Sequence, residues 1–339
     1  MTADGATADG ATAAGATADG ATAAGVDVGG TRIKAVLRRG DVVLGRHVEP
    51  TPADIASTMG PTVARVLERL VASVEGAPAP QRVGLVVPGL VDEAGGHGVW
   101  SANLGWSDLD LRGALAVHVT PEVVIGHDVR AGLLAEHLLG AARGVDDVLF
   151  VPLGTGLAVA LMTGGRVVRG STWTGELGHV RVQPDGPECG CGRRGCLEVV
   201  AGATAVGRRW REAGRSGDAS DVAAGVVAED PVASTIWHEA VGFLAGALAP
   251  VVASAGTRLV VVGGGMAEAG PTLLDPLHAA LTELLPDPDG VAVVRAALGE
   301  WAGAIGASHL APTAPPAPPT ADGADPVRAT LSVTVPDLP

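Results

Sequence analysis

Three times the chain drives an apolar strand straight into glycine: GVDVGGTRIKAVL at 25–37, VLFVPLGTGLAVALM at 148–162 and RLVVVGGG at 258–265. Glycines at such turns permit positive φ and let backbone N–H groups approach an anion with no side chain in the way. A second β-like run follows each of the first two turns, which predicts hairpins. The third leads into PTLLDPLHAALTELL, a helical pattern with Gly and Pro at its entrance. One such turn is only a tight turn; three, each at the end of an apolar strand, predict a phosphate cradle. It is not a Walker loop, because no G-x-x-x-x-G-K-[ST] occurs. The one formal G-x-G-x-x-G, GCGRRG at 190–195, follows no strand, opens no helix and is interleaved with cysteines, so it is a false match.

Further apolar runs at 82–91 (RVGLVVPGLV) and 122–128 (EVVIGHD) read as buried strands, and those at 61–76 and 131–144 have helical periodicity. Strands alternating with helices predict an α/β architecture, with helices covering a mixed sheet. Asp128 stands where a strand ends and a helix begins, the place where active-site groups of α/β folds collect. Two readings fit it: a helix N-cap, and a base that accepts a proton from an attacking hydroxyl during phosphoryl transfer. One residue can hold both roles.

The stretch GHVRVQPDGPECGCGRRGCLE at 178–198 carries all three cysteines, an odd number that cannot pair off within one molecule. With His179, the thiols of Cys189, Cys191 and Cys196 make a complete tetrahedral set for a closed structural Zn²⁺ site. Four protein ligands leave no open position, so such a metal holds a loop and does no chemistry. Arg193 and Arg194 lie near enough in sequence to ease the charge of three thiolates. The alternative, a reduced metal-free thiol cluster, fits the ligand count and spacing less well. Glu176 in GELGH and Glu198 in CLE flank the loop; they read either as solvated acids or as acceptors that orient sugar hydroxyls.

Composition bounds the setting. A 339-residue chain with 47% hydrophobic content can build a large core, in about two domains. Its net charge of −14 argues against nucleic-acid partners and against an anionic membrane surface. The apolar runs are broken by Gly, Pro or charge short of the roughly 18 residues a spanning helix needs, and no signal-peptide pattern opens the chain; a cytoplasmic location is expected. Residues 1–24 repeat ATADG and ATAAG units with almost nothing to offset the entropy of ordering, and are expected to be a disordered tail. Residues 312–339 begin as a Pro-rich tail, in which ATLSVTVP is a short run able to dock as a strand.

These motifs together resemble the ROK family, the group named for repressors, open reading frames and sugar kinases, over nearly all of residues 25–311. DVGGTRIK resembles its first phosphate motif, LGTG its second, VVVGGGMAEAG its nucleotide-side glycine motif and ALGEWAGAIGASHLA its closing helix. GELGH followed by CGCGRRGCLE resembles its zinc signature, the most specific of these matches. The resemblance implies a two-lobed actin-like ATPase (ribonuclease H-like) fold with a zinc-braced loop. A small lobe would span 25–125 and a large lobe 126–297, with the zinc loop at 179–196 and a helix at 298–311 packing back on the small lobe. ATP, Mg²⁺ and a hexose would bind between the lobes, the chain would act as a glucokinase-like hexose kinase, and, as in many relatives, it would be a dimer or tetramer.

By the same carry-over, Asp128 is the general base. Asn103, His127, Asp128, Glu176, His179 and Glu198 contact the sugar. Asp27, Gly29, Gly30, Thr31, Gly154, Thr155 and Gly156 line the phosphates, and Gly264 and Gly265 lie nearer the adenosine. His179 would bind zinc through one ring nitrogen and steer the sugar through the other. The chain departs from the family pattern at His127 and Arg130, where asparagines are usual, and at LAVA (157–160), where glycines are. Glucose, an N-acetylhexosamine and other hexoses all stay open as acceptors, as does a sugar sensor or transcriptional regulator without turnover.

Overall fold

Two five-stranded sheets of the same topology organise the described residues, and a third, three-stranded sheet branches from the first. The computed structural model describes residues 20–287 and 290–310; the expected tail over 1–19 and the run ATLSVTVP lie outside them. In the first lobe, β1 (Thr22–Val28) is buried throughout and turns through Gly29–Thr31 into β2 (Arg32–Arg39), which continues to β3 (Val42–Pro50). The three form an antiparallel meander, and β4 (Arg82–Val87) joins β1 in parallel. A three-stranded excursion follows, β5 (Leu90–Asp92), β6 (His97–Ser101) and β7 (Trp106–Asp110). The chain then returns as β8 (Val123–His127), parallel to β4, giving the order β3-β2-β1-β4-β8. The helices α1 (Ile55–Ala72) and α2 (Leu111–Ala116) cover one face, where Met59, Val63, Val66 and Leu70 bury against the strands.

The second lobe repeats this order as β11-β10-β9-β12-β13. Its strands are β9 (Val148–Pro152), β10 (Ala160–Thr163), β11 (Arg166–Val167), β12 (Leu259–Gly263) and β13 (Ala292–Arg295), again a meander followed by two parallel strands. Between the halves of that sheet run α4 (Leu197–Ala201), α5 (Ala203–Glu212), α6 (Ala219–Val227) and α7 (Pro231–Ala255), with α8 (Pro271–Leu284) after β12. The expected hairpins at the first two glycine turns are β1–β2 and β9–β10, and the third turn leads into α8.

Two expectations need correction. The strand β1 begins at Thr22, so residues 22–24, assigned by composition to the tail, are fully buried strand, paired with β2 and, from Ala23, with β4. One helix, α7, is also long and apolar enough to cross a membrane by length and composition, with a window of mean hydropathy 1.5. Isolated glycines and Pro250 do not interrupt it, and more than half of that window is buried inside the lobe, where α7 packs on α4, α6 and α8. It is the core helix of the second lobe.

The lobes meet along two helices. The helix α3 (Asp128–Leu139) leaves β8 of the first sheet and packs on β9 and β10 of the second, while α9 (Ala302–His309) packs on α3 and across β1 and β4. The approach is so close that a Cβ on Gly84 would lie 1.9 Å from the Ala307 carbonyl oxygen, and one on Gly306 would lie 1.8 Å from that of Ala131. The fully buried Glu136 locks the same seam, accepting from Ala141, Ala297 and Leu298 backbone N–H groups at 2.7, 3.1 and 2.8 Å. Gly306→Val therefore drives backbone apart, and we expect a loss of about 3 kcal/mol in urea denaturation. The exposed Gly242→Ala in α7, which meets nothing within 4 Å, is expected to gain about 0.5–1 kcal/mol.

Candidate active site

The seam helix α3 starts at the cleft between the lobes, and its first residue is Asp128. A cavity of about 370 Å³ opens there. The structure brings Asn103, His127, Asp128, Glu176, His179 and Glu198 together around it with Gly154, Thr155, Gly156 and Gly264. Asp27, Gly29, Gly30 and Thr31 are not among its walls; they lie behind Lys34 and Asn103, which are. Gly30 abuts the Asn103 loop, since a Cβ there would lie 3.0 Å from the Asn103 carbonyl oxygen. Gly265 instead lines a larger cavity of about 600 Å³ between α5, α6 and α8, which shares Thr155 with the first.

At the head of α3 the cap is His127, not Asp128. The His127 ring Nδ1 accepts from the Val129 N–H at 3.2 Å, and Asp128 Oδ1 shares the same donor at 2.7 Å. An acceptor role at Nδ1 leaves the proton on Nε2, which faces Glu176 Oε1 at 3.7 Å. The other Glu176 oxygen lies 3.8 Å from His179 Nε2. Asp128 Oδ2 has no hydrogen-bond partner among the described residues, and about a quarter of the side chain, 27%, is exposed. A free carboxylate oxygen on a rigid helix end, opening into a cavity, is placed to accept a proton from a bound hydroxyl.

His179 turns its other nitrogen away from the cavity. Nδ1 lies 3.5 Å from Cys189 Sγ, Cys191 and Cys196 sulfurs are 3.7 Å apart, and all four donor atoms fall within 4.8 Å of one another. A tetrahedral zinc with Zn–S of about 2.3 Å and Zn–N of about 2.0–2.1 Å requires edges of about 3.7 Å between sulfurs and about 3.5 Å between nitrogen and sulfur. The residues present fit zinc on donor type, number and spacing. Without a cation, burial and then the neighbouring sulfurs push the Cys196 thiol up to about 12. Arg193 lies on the side that eases this charge, whereas Arg194 pairs with Glu188 at 2.9 Å, contrary to the expectation that both would serve the thiolates.

Glu198, two residues past Cys196, is no solvated surface acid. Its Oε2 accepts from the Leu157 N–H at 2.8 Å, so the cysteine loop is tied directly to the GTG turn. Within the LAVA departure, Leu157 and Val159 bury in the core of the second lobe, and the Leu157 backbone N–H donates to Glu198. Gly156 leaves room for the contact, since a Cβ there would lie 3.0 Å from that same oxygen.

Sequence reasoning missed four residues that shape the site. Lys34 lies opposite Asp27 in the β1–β2 register, its Nζ 3.4 Å from Asp27 Oδ2; the pairing follows from the hairpin and was open to prediction. Glu93 and Arg169 carried no motif. Glu93 Oε1 accepts from the His127 N–H at 3.1 Å and from Arg130 Nε at 2.8 Å, and its Oε2 accepts from Arg169 Nε at 2.8 Å. Burial alone would raise its carboxyl, but the two guanidinium groups hold it below its ordinary value. Arg130 also donates to the Thr174 carbonyl at 3.0 Å, just ahead of Glu176. Trp100, on β6, was missed as well and forms part of the cavity wall.

With this geometry in place, comparison with known proteins decides the family. The ROK family profile matches residues 23–314. The chain belongs to the ROK family. Its fold is the actin-like ATPase fold of two α/β lobes. Glucokinase from Thermotoga maritima is 33% identical over 267 residues, covering 73% of this chain and 84% of that protein. The ROK hexokinase of Thermus thermophilus aligns with a TM-score of 0.71 at 32% identity, over 85% of this chain and 97% of its own. The ROK family glucokinase of Streptomyces griseus, solved in complex with glucose and AMPPNP, aligns with a TM-score of 0.73 at 28% identity, over 86% of this chain and 99% of its own.

Two predictions follow from this ROK site. Metal analysis of the purified protein is expected to find about one zinc per chain, and Cys196→Ser to lose it and to melt about 5 °C or more lower. Burial pushes the Asp27 carboxyl up to about 6, with Lys34 opposing and Asp128 adding to the rise. The folded state thus holds this proton more tightly than the unfolded chain, and stability from the group is lost as pH rises through about 6. Asp27→Asn removes that dependence. Its stability relative to the parent should shift in the variant's favour by up to about 3 kcal/mol between pH 4 and 7, read from urea titrations across that range.

Proposed function

We propose that the protein is an ATP-dependent hexose kinase, transferring the γ-phosphoryl group of ATP to the C6 hydroxyl of a hexose such as glucose. The observation that carries this reading is Asp128: a carboxylate with one oxygen fixed by the Val129 N–H and the other free, in a cavity whose opposite wall is the GTG turn. Family membership and the glucokinase relatives support it independently.

In this reading Asp128 positions the acceptor hydroxyl and takes its proton as the oxygen attacks. Asn103, His127, Glu176, His179 and Glu198 hold the remaining hydroxyls. Backbone N–H groups of the turns at 29–31 and 154–156 orient the phosphates, and the larger cavity beyond Thr155 and Gly265 takes the nucleoside. Mg²⁺, when bound, supplies charge neutralisation at the phosphates. Asp27, with Lys34 beside it at the back of the first turn, is the carboxylate nearest that role. Closure of the lobes over the sugar excludes water and limits ATP hydrolysis.

The test is ADP release from Mg-ATP across a panel of hexoses and N-acetylhexosamines, with Asp128→Asn run in parallel. One sugar is expected to drive turnover, and the substitution to lower it about 10²–10⁴-fold while sugar binding persists. Sugar binding with no turnover on any acceptor would replace the kinase with a sensor.

A further inference from the structure

Lys34 is the one lysine of the chain; its other strongly basic side chains are all arginines. It lies on the seam face of the first sheet. Two residues further along β2, Val36 clusters with Ala304 and Ile305 of α9, and the facing Asp27 on β1 abuts the same helix, where a Cβ on Gly303 would lie 2.7 Å from Oδ2. The helix thus covers Asp27 on one side, and Lys34 stands on the other, where it lines the active-site cavity.

The pair is loosely made. Nζ lies 3.4 Å from Asp27 Oδ2, well outside the roughly 2.7–2.9 Å of a charge-assisted hydrogen bond. Among the described residues the ammonium has no other acceptor, so two of its three donors are unused on a side chain only 16% exposed. Burial still pushes the Asp27 carboxyl up to about 6 with Lys34 opposing it. A lysine kept only to neutralise Asp27 would close to hydrogen-bond distance.

The cavity wall explains the reserve. Asp128, Glu176 and Glu198 line it, and Lys34 is the only lysine or arginine among the described residues that do. The GTG turn offers backbone N–H groups, which are dipoles without net charge. A triphosphate entering an acid-lined space needs a cation, and an ammonium on a flexible stem is a compact charge that can turn without moving its strand. We propose that Lys34 is a phosphate-binding residue, its ammonium leaving the long Asp27 contact to donate to a non-bridging oxygen of the transferred γ-phosphoryl group. The inference rests on the kinase reading for the identity of the ligand. During transfer the acceptor hydroxyl oxygen bonds to phosphorus, and the bond from phosphorus to the bridging oxygen breaks, its electron pair leaving with ADP. The hydroxyl proton passes to Asp128, and Lys34 keeps all three of its own. Its charge sits where the transition state spreads negative charge, over the equatorial oxygens.

The experiment is isothermal calorimetry on the full chain with AMPPNP, ADP and AMP at one fixed Mg²⁺ concentration, alongside ADP release from Mg-ATP across the sugar panel. Lys34→Met should weaken AMPPNP about tenfold or more and ADP less, leave AMP within about twofold, and lower turnover about 10²-fold or more. Lys34→Arg, which keeps the charge, should retain most of the AMPPNP affinity. Unchanged AMPPNP binding in Lys34→Met overturns the proposal, as does equal weakening of all three nucleotides, the mark of a structural disturbance. The same comparison in an Asp27→Asn background separates contact from neutralisation. A loss of AMPPNP affinity that persists there supports direct contact, and a loss that vanishes there ties Lys34 to Asp27 alone and overturns the proposal. Sugar turnover with AMPPNP binding indifferent to Lys34 sinks the lysine and leaves the kinase. Lys34-dependent AMPPNP binding with no turnover on any sugar keeps the lysine and sinks the kinase.

Discussion

Three sulfurs and an imidazole nitrogen within 4.8 Å of one another set the shape of the whole cleft. Thiolates at that spacing repel one another, and protonated thiols would have little reason to converge; a bound cation would resolve the conflict and tie the Glu176–His179 turn to the cysteine loop. From that point the order spreads along covalent neighbours. His179 presents Nε2 to Glu176, Cys196 caps the helix that carries Glu198, and Glu198 grips the Leu157 N–H of the GTG turn. A metal held there would do no chemistry, and would join the groups proposed for sugar and those proposed for phosphate in one frame.

The second constraint is the seam of α3 and α9. Both sheets share one strand order, and each lobe has its own core, so the two could hinge freely were it not for this pair of helices. The packing there is backbone to backbone, through Gly84 and Gly306, and Glu136 is saturated by three backbone donors. Asp128 begins the seam helix, so its carboxylate is anchored where the two lobes join, while Trp100 and Trp173 approach from opposite lobes. In the proposed kinase reading, a base there would keep its place as the walls move.

The sequence displayed the fold because its signals are local and repeated: apolar strand, glycine turn, and either hairpin or helix, three times over. The four donors of the candidate metal site were equally plain, since each is a rare residue type and their spacing is short. What composition obscured was pairing and covering: Thr22–Ala24 look like tail until they pair with β2 and β4, and α7 looks interrupted by glycine until the second lobe closes around it. The site was legible where a residue sits in a motif, as Asp128 and Glu198 do, although the role of Glu198 toward Leu157 required the fold. Glu93, Arg169 and the walls of the larger cavity were invisible because their meaning comes only from what distant segments bring beside them. Lys34 is the intermediate case, fixed by hairpin register to face Asp27.

His127 and Arg130 stand in sequence as two separate departures from a pattern, but in space they form one device. Both donate to the same oxygen of Glu93, His127 through its backbone N–H and Arg130 through Nε. Arg130 then reaches the Thr174 carbonyl, and His127 Nε2 faces Glu176 two residues further on. A buried guanidinium needs its partners, and 5% exposure leaves Arg130 little water to replace them. Changing Arg130 alone would strand Glu93, and changing Glu93 would release both the β8–α3 junction and the loop that carries Glu176. The two departures therefore share one partner: His127 and Arg130 both donate to Glu93, and Arg130 also holds the segment carrying Glu176, which the ring at 127 faces.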